Sequence, residues 1–448
     1  MDSINHLLTR LFDFLGKKNP QLAEKLKTSM NSRLGQGLSW NMLSLVILAA
    51  SGFITNAMIV YTRGEEALGV FSQVYAIYLI FSQIVVFGLH HSVLRLVSYH
   101  NQDRSYCSEI TISALILIIV ISIPATVISL LLIKPLGFLL DSPDVATGLF
   151  LTLPSLVFFS LNKVLINVLN GLDEMKAFSF FRSLRYILLF LIIGIIIALN
   201  LDNRYISASL SVCEVILFIC LLIYTFRKVL PLSRLTNFRL LAKEHLTFGS
   251  KGFLSGLLIG INTKVDVLMI GVFLTDVHVG IYSFAAVLAE GLYEITVVAQ
   301  LSLNPMIGRA FSKNDKTEIE SLSKSFRKFF YPLMIAVGGI SVVIYPLIVK
   351  LFADSSYLLE SWIIFTVIVI GIVIDSGYGA MRGIIMQGNR PGLYTLYILA
   401  LVIGDALLNL VMIPLMGIVG AGLVTMCTYI LSMVYLIWIS RKAFSINL

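Results

Sequence analysis

"LGVFSQVYAIYLI", Leu68–Ile80, returns in altered form as "VGIYSFAAVLAEG", Val279–Gly291, 211 residues further on. Two more pairs keep the same order and nearly the same distance. "LIKPLGFLLDS" from Leu132 resembles "LIVKLFADSS" from Leu347, about 213 residues on. "VLNGLDEMKAF" from Val168 resembles "IMQGNRPGLY" from Ile385, 217 residues on. One duplicated unit with small loop insertions leaves this kind of slowly drifting offset. If each copy crosses a membrane an even number of times, both copies start on the same side. The two are then parallel repeats about an axis along the membrane normal, with the expected site between them.

The composition supplies the membrane. Of 448 residues, 58% are hydrophobic and 13% charged, with a mean hydropathy of +0.91. A soluble domain carries about 25% charged residues, so this chain could not cover a water-facing surface. Apolar runs near the roughly 20 residues of a membrane helix recur from about residue 38 to 439 and divide into twelve spans. The expectation is an all-α polytopic membrane protein with about twelve transmembrane helices in two pseudo-twofold six-helix lobes. The division predicted is an amphipathic segment over 1–36, a first lobe over 37–228, a linker over 229–247, a second lobe over 248–440 and a tail over 441–448.

Lysine and arginine fall mainly on alternate loops. One side holds Arg10 to Arg33, Arg95 and Arg104, Lys176, Arg182 and Arg185, clusters over 227–251 and 309–328, then Arg382, Arg390, Arg441 and Lys442. The other side shows Arg63, Lys134, Arg204 and Lys350. By the positive-inside rule both termini are cytoplasmic, and loops containing Asp276 and Asp354 lie outside. The net charge of +8 then reflects topology and needs no nucleic acid to explain it. The basic start, "HLLTRLFDFLG" then "LAEKLKTSM", reads as an amphipathic helix on the inner leaflet, meeting membrane lipids. It is too polar for a cleavable signal peptide. The four cysteines are scattered without a C-x-x-C pair, so neither a disulfide framework nor a metal site is expected.

Several stretches carry a family likeness: "GEEALGVFSQVYAIYLIFSQIVVFGLHHSVLRLVSYH" from Gly64, "KVDVLMIGVFLTDVHVGIYSFA" from Lys264, "NPMIGRAFS" from Asn304, and "LLNLVMIPLMGIVGAGLVT" from Leu407. Over residues from about 38 to 440 the chain resembles the polysaccharide-exporter branch of the multidrug/oligosaccharidyl-lipid/polysaccharide (MOP) superfamily. Within that branch it is similar to Wzx-type O-antigen and capsule repeat-unit flippases. The resemblance implies a MATE/MOP-like fold in a bacterial inner membrane, alternating access, and a cargo of undecaprenyl-diphosphate-linked oligosaccharide. It also implies a polymerase and a chain-length regulator of the same lipopolysaccharide-type pathway as partners. Relatives that flip peptidoglycan precursor typically have fourteen spans, and twelve here argues against that cargo.

No phosphate-binding G-x-x-x-x-G-K-[ST] loop occurs, and the outer loops are too short to house a catalytic domain. Transport without covalent chemistry remains, with no cofactor and with coupling to H+, Na+ or the membrane potential left open. Buried ionisable residues then mark the pathway, because each costs about 2.5–3.5 kcal/mol at a helix centre on insertion scales. In the first lobe these are Lys163, flanked by Asn162 and Asn167, then Arg182 and Arg185, with His90, His91 and Arg95 ending the second span. A diphosphate is matched by cations, arginine best, through bidentate hydrogen bonds.

The second lobe mixes signs. Glu290 and Glu294 are one helical turn apart; two carboxylates so placed resist double ionisation, which suits a proton-carrying site. Counted from the outer ends, Lys264 and Glu290 lie at depths of roughly 15 and 18 Å, so neighbouring helices can pair them. Asp266 faces the other way, in line with Asn262 and Ser255. Asp375 shares a face with Arg382, and Asp405 sits one turn from Asn409. Each acid is equally readable as a structural interhelical partner. A multidrug or toxin-cation antiporter of the same superfamily is the second reading, and a scaffold or polymerase of the pathway the third. Lys163, Arg185 and Lys264 favour an anionic cargo over a cationic one.

Overall fold

A computed structural model describes residues 33–353 and 355–448. The expected amphipathic segment lies outside them save for its last four residues, and so does Asp354. Among the described residues the chain forms fifteen α-helices. The N-terminal half holds α1 (Arg33–Val86), α2 (Leu89–Tyr99), α3 (Arg104–Leu131), α4 (Ile133–Leu139), α5 (Pro143–Thr152), α6 (Leu156–Gly171), α7 (Met175–Ala198) and α8 (Arg204–Tyr224). The C-terminal half holds α9 (Phe238–Asn262), α10 (Val265–Phe273), α11 (Asp276–Ser312), α12 (Lys316–Phe352), α13 (Leu358–Gly379), α14 (Gly383–Gln387) and α15 (Pro391–Ile439).

Two of these helices are long enough for two membrane passes each. At 1.5 Å per residue, α1 with its 54 residues would reach about 81 Å. It turns instead at Gly64, whose φ of 82° is open to glycine without steric cost. Leu48 and Leu79 consequently line one cavity, though a straight helix would hold them about 46 Å apart. The 49-residue α15 turns in the same way at Gly417, φ 61°, which brings the Tyr397 hydroxyl within 2.6 Å of Ser432 Oγ. Among the described residues nine helices are long and apolar enough to cross a membrane, or ten with the bent pair α9–α10 counted as one. Taking α1 and α15 as two passes each, the total among the described residues is consistent with twelve.

Loops alternate between two ends of the bundle. The basic end carries Arg234, Lys316 and Arg390, and the opposite end carries Gly64, Asp276 and Gly417. Helix starts follow local chemistry. Asp103 accepts from the Tyr106 amide and Ser142 from that of Val145, with Pro143 at the first helical position. At the basic end Asp315 caps α12; the Thr317 hydroxyl and the Glu318 amide hold its carboxyl below the usual range.

The linker differs from expectation. Regular structure resumes at Phe238, so the last ten residues of the segment 229–247 already belong to α9. The Glu109 carboxylate of α3 fixes that start by accepting from the Thr236 amide at 2.6 Å and the Thr236 hydroxyl at 2.8 Å. Buried His245 adds contacts to Ser92 and to the Ile110 carbonyl. The basic-end part of the seventh pass is therefore held by the N-terminal half. The span read as continuous over 248–274 is broken: α9 ends at Asn262, α10 starts at Val265, and the two axes differ by 51°.

The repeats meet at the opposite end. A β-carbon at Gly69 would overlap the Asp276 carbonyl oxygen, and one at Gly280 would overlap that of Glu65. Gly69 and Gly280 are 211 residues apart, and so are Glu65 and Asp276. The contact is reciprocal, as a pseudo-twofold axis requires, and it closes this end. Asp276 adds side-chain bonds across it, accepting from Gln73 Nε2 at 2.6 Å and from Ser142 Oγ at 2.7 Å.

Candidate functional site

Between the halves lies a cavity of about 600 Å³. Its charged lining comes entirely from the C-terminal half: Lys264, Asp266, Glu290, Glu294, Arg382 and Asp405. The N-terminal half contributes neutral groups, among them Asn56, Ser72, Tyr75 and Tyr186. Tyrosines line both walls, with Tyr293, Tyr394 and Tyr429 facing the first two. Such rings offer apolar faces together with hydroxyls, which suits a sugar.

Lys264 sits in the break, as the residue before α10. Its position explains how a lysine and an aspartate two residues apart can share one cavity. The opposed directions expected on a continuous helix do not apply, because the chain turns between Asn262 and Val265. Asn262 and Asp266 both line the cavity, but the straight stripe expected through Ser255 is lost to the same bend. The pairing expected from matched depth is present: Lys264 Nζ lies 3.2 Å from Glu290 Oε1. Glu294, one turn on, keeps Oε2 buried without a hydrogen-bond partner. Arg182 of α7 lies outside the lining, within electrostatic reach of Glu294.

Asp266 and Asp405 form a second centre. Asp266 accepts from Tyr282 Oη at 2.8 Å, Thr425 Oγ1 at 2.9 Å and Asn409 Nδ2 at 2.6 Å. Asp405 accepts from Thr428 Oγ1 at 2.7 Å and from Asn409 Nδ2 at 3.4 Å, so Asn409 bridges the two carboxyls. Two carboxyls that share one amide in a protein-lined site disfavour double ionisation, which suits a proton or a cation beside them. Asp375, fully buried, holds Arg382 at 2.6 Å; Ser432 and Tyr293 complete the arginine's shell. Arg382 follows the end of α13, where "DSGYGAMRG" both breaks the helix and packs closely, Gly377 against Tyr331 and Gly383 against Asn304. Sharing a helical face is thus not what pairs Asp375 with Arg382.

The first-lobe candidates lie elsewhere. Arg185 is bound by Glu214 of α8, at 2.9 Å through Nε and 3.1 Å through Nη2. Asn162 donates to the same carboxylate at 2.8 Å, and Asn167 bonds the Lys163 carbonyl of its own helix. Lys163 Nζ donates to Gln83 Oε1 at 3.1 Å. None of these four lines the cavity. Glu214 escaped the sequence reading although it stands as a lone acid in "SVCEVILF"; the criterion that flagged Lys163 selects it equally. The tyrosines gave no comparable signal, since tyrosine is common throughout membrane helices.

A polytopic bundle with reciprocal repeats around a charged cavity is the architecture of a MOP-superfamily transporter. A solved multidrug-resistance MATE family transporter of that superfamily, inward-facing, aligns with TM-score 0.72 at 14% identity, covering 88% of this chain and 97% of its own. Lipid II flippase MurJ in an inward closed conformation aligns with TM-score 0.70 at 14% identity, covering 90% and 87%. An outward-facing MATE structure gives 0.61 at 13% identity over 93% and 97%.

The family model described as polysaccharide biosynthesis protein matches residues 34–312, and the chain belongs to that family. A Haloferax volcanii protein, described as the probable low-salt glycan biosynthesis flippase Agl15, is 28% identical over 174 residues, 37% of this chain. The match spans about a third of that relative's length, 35%.

Proposed function

We propose that the protein flips a diphosphate-linked oligosaccharide across the membrane by alternating access. In this reading the cargo is an O-antigen or capsule-type repeat unit on undecaprenyl diphosphate. It moves from the cytoplasmic to the outer leaflet of a bacterial inner membrane, with both termini cytoplasmic. The observation that carries the reading is the Lys264–Glu290 pair at the break of the seventh pass, inside a tyrosine-walled cavity. Phosphate entering the cavity competes for Lys264 and leaves Glu290 beside Glu294. Two negative charges a turn apart then favour uptake of a proton. Arg382 adds a second cation on the same wall, and the tyrosines take the sugars. The Asp266–Asp405 centre is the place for a coupling H+ or Na+. Glu214, buried in the N-terminal half, is already paired with a resident arginine.

Four carboxylates against two cations in the lining favour a second reading, antiport of an organic cation. Membership of a polysaccharide biosynthesis family weighs against it. Three of those acids are also engaged, Asp266 and Asp405 through Asn409 and Glu290 with Lys264. Reconstitution in liposomes with a diphosphate-linked oligosaccharide, scoring sugar accessible from each side, separates the two. Flipping is expected in the intact protein and lost in Lys264→Ala. Lys264→Ala combined with Glu290→Gln should recover part of it, because no stranded charge remains. Transport of a lipophilic cation with no movement of the glycan would overturn the proposal.

A further inference from the structure

The N-terminal half carries a cationic cluster that is separate from the cavity. The second pass is interrupted at Phe87 and Gly88, with φ of 48° and 69°, and restarts as α2. His90 and His91 lie in the first turn of α2, so that turn offers backbone amides and imidazoles in one direction. Lys163 reaches the same depth from α6. It stands eight residues from the helix end at Gly171, and His91 stands eight from Tyr99, about 12 Å in each case.

The three side chains sense one another. The imidazole rings are 3.9 Å apart, and Lys163 acts electrostatically on both. Among the described residues no carboxylate acts appreciably on any of the three, and the other charge that Lys163 feels is Arg185. His90 is 8% exposed, and its Nδ1 is buried with no hydrogen-bond partner. Lys163 is half-buried and His91 exposed, so the cluster is open to a ligand, while the buried, unpartnered His90 and an uncompensated cation are costly unless an anion visits.

Helix α9 covers this cluster with glycine. A β-carbon at Gly252 would sit 3.3 Å from His91 Cδ2, and one at Gly260 3.1 Å from Gln83 Cγ, beside the Lys163 partner. Gly249 packs on the Phe87 carbonyl. These glycines share one helical face, so α9 lies over the site without filling it. The same helix ends at the break that carries Lys264.

We propose that Lys163, His90 and His91 form a second diphosphate-binding site, which holds the charged head of the cargo before it reaches Lys264 and over which α9 closes. The inference rests on the flippase reading and adds a station to it. Lys163 supplies charge, the imidazoles and the first turn of α2 supply N–H donors, and α9 moves aside to admit the ligand.

The test uses the full chain in zwitterionic-lipid nanodiscs with ¹⁵N-labelled histidine, six residues in all. Farnesyl diphosphate, inorganic pyrophosphate and phosphatidylglycerol are titrated in turn. Farnesyl diphosphate is expected to shift the His90 and His91 resonances. Lys163→Gln should weaken that response about tenfold or more, as expected for losing a charged hydrogen bond, and Lys163→Arg should restore most of it. Lys264→Gln should leave the histidine response in place. A matching response to pyrophosphate supports a site that reads the diphosphate alone. Response only to farnesyl diphosphate supports one that also reads the lipid. An equal response to phosphatidylglycerol overturns a diphosphate site. So do unmoved histidines in a protein that flips a diphosphate-linked glycan, which would leave the flippase reading standing. Absence of flipping, with the histidines still responding, would instead count against the flippase reading.

Discussion

Gly280 packs against the main chain of Glu65 as Gly69 packs against that of Asp276, each glycine at the start of the second pass of its own repeat and each closing on the other repeat. Neither position has room for a β-carbon, so both act as stops at the end of the bundle opposite the basic loops. Replacing Gly280 by valine should wedge this end apart. In a cysteine-free background with Ser72→Cys in the cavity, an impermeant maleimide applied from that face should then label faster than in the Gly280 parent. Equal labelling in a stably inserted protein would mean that the contact does not gate access.

Asp276 reinforces the closure through Gln73 and Ser142. Hydrogen bonds to a charged group contribute about 1.5–3 kcal/mol each. Their loss in Asp276→Ala should shift the gate equilibrium about tenfold or more toward opening at this end. Spin labels on residues 202 and 359, one in each half, should report a longer distance population. An unchanged distribution would show that the glycine contact suffices alone.

Arg185 and Glu214 form the most enclosed ion pair of the N-terminal half. Removing one partner of a buried pair strands the other and costs about 3–5 kcal/mol. Arg185→Ala should therefore lower the thermal midpoint in detergent markedly. Arg185→Met combined with Glu214→Leu should recover most of the loss. If the single change is neutral, water reaches the pair and the arginine is free to serve cargo.

Topology is tested by single cysteines. Positions 234 and 316, on the basic end, should label only after permeabilisation, and positions 134 and 202 should label from outside. External labelling at 316 would reverse the assigned direction of transport.

What could be read beforehand was whatever depends on distance along the chain. Repeat offsets gave the pseudo-symmetry, and counted depth paired Lys264 with Glu290. What depends on a helix's rotation about its axis was not readable. Lys163 and Arg185 lie within the protein as their spans suggested, yet they face Gln83 and Glu214 and not the cavity. The break before Val265 was hidden because an apolar run fixes length but not straightness. A lysine with an aspartate two residues on gave the hint, since no continuous helix would bring both to one wall.

By descent α9 opens the second repeat, but its contacts tie it to the first, through Glu109 to Thr236 and through His245 to Ser92 and Ile110. The seam between the halves thus runs through the middle of a membrane pass, at Thr263, and not through the polar loop before Phe238. Recombination between relatives would respect that seam. A chimaera joined in the loop separates Glu109 from the amides it evolved to hold, and Gly249 from the backbone it fits. Joined at Thr263, the first parent keeps its whole covering helix, and the second keeps Asp266 with Asn409 and Thr425.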